Sequence, residues 1–175
     1  MTAAERKALI ASYKAGYQKV VAALRGIRPT ERDWRPAPGE WSAREVVHHL
    51  ADSETISGIR LRRILAEDKP LISGYDQDEY ARRFCYQERP MEPALEAFKA
   101  ARATTAQLLD RMSDADWQRA GTHSESGPYP AERWLEVYAE HAEIHAAQIR
   151  ANRAAWVTSR TVRPARRRSA SPRRR

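Results

Sequence analysis

Four long stretches of this chain repeat apolar side chains every three to four positions, and none alternates apolar and polar residues with a period of two. An apolar stripe at helical spacing has to be buried against another stripe, so the pattern predicts an all-α four-helix bundle with no strands. The first stretch covers roughly residues 3–26, with Leu9, Ile10, Tyr13, Tyr17, Val20, Val21 and Leu24 on one face. The second opens at Ser42, with Glu45 completing an S-x-x-E capping box, and runs to about Glu67. It turns Val46, Val47, Leu50, Leu61, Ile64 and Leu65 inward. The third runs from near Pro93 to near Met112 around Leu95, Phe98, Leu108 and Leu109. The fourth begins just after Pro130, a first-turn proline, and continues to about Arg153.

The connections carry further information. Residues 30–34 (TERDW) and 113–117 (SDADW) both read as a capped short turn that returns a tryptophan to the core, a weak internal repeat of two helix pairs. The connection over residues 68–90 is long and holds Pro70, Gly74, Tyr75, Asp76 and Pro90. Connections of that length are functional or carry the chain across a domain.

The formal charge of +8 belongs to one end of the chain. Residues 160–175 hold eight arginines and no acid, which leaves 23 basic and 23 acidic side chains before them. The folded part therefore lacks the electrostatic signature of a nucleic-acid binder. The division expected is a bundle domain over residues 1–155 and a basic, disordered tail over 156–175. The tail has no aromatic side chain to stack on bases, so any nucleic-acid binding by it is weak, nonspecific and salt-sensitive. A solvated extension is the simpler reading. No run of apolar residues is long enough to span a membrane. The single cysteine, Cys85, forms no internal disulfide, which makes a reducing cytoplasm the default location. Nothing beside it in sequence activates its thiol.

The chemistry concentrates in histidines. In WLEVYAEHAEIHAAQI, residues 134–149, His141 and His145 fall inside the stripe formed by Trp134, Leu135, Tyr138, Ala142 and Ile149, while Glu140 and Glu143 point to water. Imidazoles at i and i+4 on a buried face either claw a metal or sit hydrogen-bonded in the core. The motif alone leaves both open. A metal held by two histidines is underligated, and His48 and His49 offer a third. His49 lies about 110° from the centre of its helix's apolar stripe and His48 about 150°, so His49 is the inward candidate and His48 a half-exposed one. His123 reads as a loop histidine. Three imidazoles from two helices leave coordination positions open, which is the logic of a catalytic site. Glu143 stands in the third rather than the second position of the H-x-x-x-H motif, so the spacing does not match zincin chemistry. Asp52, one turn after His49, is the candidate to orient an imidazole or accept a proton. Glu54 is either directed at the site or paired with an arginine.

WSAREVVHHLADSE, PLISGYDQDEY and YAEHAEIHAAQI, in that order and spacing, resemble the DinB-like four-helix superfamily and within it the YfiT-type branch, over about residues 5–152. The resemblance implies a metal triad of His49, His141 and His145, with zinc or nickel as the divalent ion. It implies a homodimer and a metal-dependent hydrolase, or a transferase whose cosubstrate is a low-molecular-weight thiol such as bacillithiol or mycothiol. The partner is then an electrophilic small-molecule substrate. The arginine-rich tail departs from the family pattern. Two other readings stand beside an enzyme: a non-catalytic metal-binding bundle, and a module that binds nucleic acid or an acidic partner through its tail.

Overall fold

The computed structural model describes residues 1–161. The disorder expected for the rest of the tail lies outside the described residues. Seven helices and three short strands follow in the order α1 (Ala3–Leu24), α2 (Pro29–Arg32), α3 (Ala43–Ala66), β1 (Leu71–Ile72), α4 (Gln77–Arg83), α5 (Met91–Leu109), α6 (Asp114–Trp117), β2 (Ala120–His123), β3 (Gly127–Pro130) and α7 (Ala131–Thr161). The four long helices are those expected. Thr2 caps α1 and Ser42 caps α3, each through a capping box that satisfies the otherwise unpaired first-turn amides.

The four helices form a ring in which α1 packs on α7, α7 on α3, α3 on α5, and α5 on α1. Their apolar faces make two separate clusters. One holds Val20, Leu24, Val46, Val47, Leu50, Phe98, Ala142, Ala146 and Ile149. The other holds Tyr13, Leu61, Ile64, Leu109, Trp117, Trp134, Leu135 and Tyr138. The order in which each helix visits them fixes the topology. Helices α1 and α7 run from the second cluster to the first, and α3 and α5 run from the first to the second. So α3 ends at the opposite end of the bundle from where α5 begins. The connection between them has to travel the bundle's length, which is why it is long. Between the clusters α1, α3 and α5 contribute polar or small residues at the same level: Gly16, Ser53, Glu54, Ser57, Arg102 and Thr105 are all buried there.

Three features depart from the sequence-based expectation. A small sheet exists: β1 pairs parallel with β2, and β2 antiparallel with β3, with Leu71 opposite Thr122 and Gly121 opposite Tyr129. Strands of two to four residues, reading LI, AGTH and GPYP, are too short for a period of two to register. A Cβ on Gly121 would come within 2.6 Å of the Pro70 carbonyl oxygen, so this strand approaches its neighbour only with glycine there. Second, α7 continues two turns past Arg153, and Trp156 is buried with Arg28 against its ring. Residues 156–161, expected in the tail, are thus helical. Third, the two TERDW and SDADW turns are less alike than they read: Trp117 is buried, Trp34 only half-buried, and the first turn starts from Arg28.

Candidate metal centre

The crossing of α3 and α7 brings His49, His141 and His145 together, one potential ligand atom from each lying within 4.8 Å of the others. The His49 ring lies 4.7 Å from that of His145 and 5.4 Å from that of His141, and the last two are 4.7 Å apart. The Nε2 atoms of His49 and His141 face one another at 3.3 Å. The outer nitrogens on α7 are held: His141 Nδ1 is 3.3 Å from a Glu54 carboxylate oxygen, and His145 Nδ1 is 2.8 Å from the Gln148 amide oxygen. Both partner atoms are oxygens, so these contacts favour a proton on Nδ1 and a lone pair on Nε2 of each ring.

Burial, reinforced by the imidazoles of His145 and His141, pushes His49 down to about 2. Burial and His141 push His145 down to about 4, against the opposing pull of Gln148 and Glu54. These two rings are neutral at physiological pH, the form that ligates a metal. Each of the three rings brings one potential ligand atom to within 4.8 Å of the other two, and the cluster contains imidazoles only. The donor set therefore fits a divalent metal ion.

His49 lies against the half-buried Trp41 from the loop before α3, ring centroids 4.8 Å apart. His145 opens onto a cleft of about 170 Å³ bounded by Glu40, Trp41, Asp78 and Gln148. A second cleft of about 390 Å³ shares Glu40, Trp41 and Asp78 and runs on to Arg35 and Arg82. The crossover connection, through α4, thus forms one wall of the approach.

The other candidates lie elsewhere. His48 is fully buried rather than half-exposed: its ring stacks on Tyr86, and its Nε2 meets the Arg89 carbonyl at 3.3 Å. The crossover covers that face of α3, which helical phase alone does not anticipate. Asp52 accepts the Tyr86 hydroxyl, and among the described residues no imidazole is its hydrogen-bond partner. Glu54 meets both readings given for it, pairing with Arg102 and with His141. His123 ends β2, and Glu143 is held by Lys19 and Arg150. Cys85 is exposed, with a left-handed backbone at φ 50°. Sequence reasoning missed Gln148, although its i+3 spacing from His145 is the signal that finds it.

The model of the DinB superfamily matches residues 12–149. A relative from Oceanobacillus iheyensis, named "Putative metal-dependent hydrolase", is 36% identical over 111 residues, covering 63% of this chain and 64% of its own length. The chain thus spans slightly less than two thirds of that relative. YfiT from Bacillus subtilis, described as "a probable metal-dependent hydrolase with an unusual four-helix bundle topology", superposes with a TM-score of 0.83 at 23% identity over 90% of each chain. A mutant of the mycothiol-dependent maleylpyruvate isomerase shares the fold with a TM-score of 0.66 at 11% identity, over 85% of this chain and 63% of that one.

Proposed function

The chain belongs to the DinB superfamily, and from that premise we propose a divalent-metal-dependent enzyme that acts on an electrophilic small molecule through His49, His141 and His145. One observation carries the reading: His49 and His141 turn their Nε2 atoms together, His145 brings a ligand atom within 4.8 Å of theirs, and oxygens stand at Nδ1 of His141 and His145. A zinc or nickel ion bound there would polarise a substrate oxygen and favour the deprotonated form of a water or thiol. The chain's own part is to keep the imidazoles neutral, to fix their orientation through Glu54 and Gln148, and to leave an approach past Trp41 and His145. Half-burial of His141 and His145 leaves that side accessible.

Hydrolysis is the first reading, in keeping with the name of the Oceanobacillus relative. Transfer of a low-molecular-weight thiol is the second, and the mycothiol dependence of the isomerase that shares the fold favours it. The family also supports a cytoplasmic homodimer, which sedimentation of the purified protein tests. The arginines beyond residue 161 are proposed to add weak, salt-sensitive binding to nucleic acid. Elemental analysis of the purified protein, followed by assays of the loaded protein on electrophiles with and without thiol, separates the readings. Turnover without thiol supports hydrolysis, and strictly thiol-dependent turnover supports transfer. Protein that takes up no zinc or nickel sinks both.

A further inference from the structure

The two apolar clusters are separated by one charged pair, and that pair reaches the histidines. Glu54 is fully buried, and both its carboxylate oxygens are engaged. One carboxylate oxygen takes Arg102 Nη1 and faces His141 Nδ1 at 3.3 Å. The other receives the Tyr13 hydroxyl at 3.3 Å, with the Ser57 oxygen 3.5 Å away and its hydroxyl donated to the Glu54 carbonyl at 2.9 Å. Arg102 comes from α5, which brings no imidazole. Its Nε and Nη2 donors go to the carbonyls of Tyr13 and Tyr138, and its guanidinium lies 3.8 Å over the Tyr13 ring. Gly16 makes the room: a Cβ there would come within 2.7 Å of Arg102 Nη2 and of the Ala142 Cβ.

We propose that Glu54 is the positioning residue of the metal centre and that Arg102 fixes it in that role, coupling α5 to metal binding. The inference rests on the metal reading above. Arg102 ties the carboxylate on α3 to the α7 backbone at Tyr138, one turn before His141. The imidazole thus meets an acceptor that cannot swing away. A carboxylate at Nδ1 selects the Nδ1–H tautomer and leaves the Nε2 lone pair facing His49. Charge balance alone does not require the contact, since Arg102 neutralises Glu54 without any histidine. The convergence of the pair on a ring of the triad is what an orienting role requires.

The test has two arms. In the unaltered, metal-free protein, long-range proton–nitrogen NMR reads the His141 tautomer: Nδ1–H is expected, and Nε2–H overturns the inference. In the second arm, the variant Glu54→Met/Arg102→Met removes both charges and leaves no buried charge unpaired. Its zinc affinity, by chelator competition, should fall about ten- to a hundredfold, with a shift in the visible bands of bound cobalt. Unchanged affinity and unchanged cobalt bands overturn the inference and leave the metal reading standing. An unaltered protein that takes up no zinc sinks the metal reading and this inference with it. If the variant does not fold, the tautomer decides.

Discussion

His48 and His49 are adjacent on α3 and equally inaccessible, at 2% and 3% exposure, yet they face unlike surroundings. The Nε2 of His48 meets the Arg89 carbonyl, an acceptor that settles it as a donor, and its ring rests on Tyr86. The Nε2 of His49 meets another imidazole nitrogen, the Nε2 of His141, whose far side faces Glu54. Burial therefore does not separate a ligand from a core histidine. The kind of partner does: His48 Nε2 faces a backbone carbonyl, whereas His49 Nε2 faces a second imidazole nitrogen that can share a metal with it.

The sharpest way to break this contrast is to remove the rings. Alanine at His49, His141 or His145 should each weaken zinc binding at least a thousandfold, because two imidazoles alone leave the ion underligated. Titration against a chromophoric chelator measures it. Retention of tight binding in His49→Ala would place the third ligand elsewhere.

Acid should act on the triad next. Unfolded imidazoles take up protons near 6.5, but folded His145 does so only near 4 and His49 only near 2. Between these values the unfolded chain holds more protons, so metal-free stability falls as pH drops below 6.5. Each of the two imidazoles contributes a slope of about 1.4 kcal/mol per pH unit, with the His145 loss complete near pH 4. Urea unfolding of the chelator-treated protein across this range measures it, and the slope should be shallower in His49→Ala. A pH-independent midpoint would mean the triad rings are hydrated rather than buried.

How much of this was legible depended on whether the cause was local. Helical phase placed His141 and His145 on one face and preferred His49 to His48, because a helix fixes directions residue by residue. Ser42 with Glu45 announced the start of α3 for the same reason. The burial of His48 was not legible, because it depends on the crossover packing Tyr86 and Arg89 over α3, a contact set by topology. The partner of Glu54 was likewise beyond reach: Arg102 lies 48 residues away on a helix whose apolar pattern alone was readable. The sheet escaped because its longest strand has four residues.

A smaller effect sharpens the contrast from the side of α7. Gln148 holds His145 from the same helix, at a half-buried position where water can replace it. Gln148→Ala should weaken zinc about tenfold or less, and less than the loss of the Glu54–Arg102 pair does. Gln148→Glu supplies a stronger acceptor and should restore or exceed the original affinity. A Gln148→Ala loss as large as that of His145→Ala would make Gln148 itself a ligand.

The smallest effect on metal is expected at His48, although the ring is as buried as its neighbour. His48→Gln keeps a donor for the Arg89 carbonyl and gives up the stacking on Tyr86, so it should cost roughly 1 kcal/mol of stability. His48→Ala also leaves that carbonyl unpaired and a void beside Tyr86, and should cost about 2–3 kcal/mol. Zinc affinity should stay within about twofold in both, because neither change touches a nitrogen that faces the triad. Denaturant unfolding of the metal-free variants and chelator competition on the loaded ones measure the two quantities separately. Stability lost with affinity kept is the signature of a core histidine. Affinity lost with stability kept would move the ligand from His49 to His48, and the kind of nearest partner would no longer distinguish the two rings.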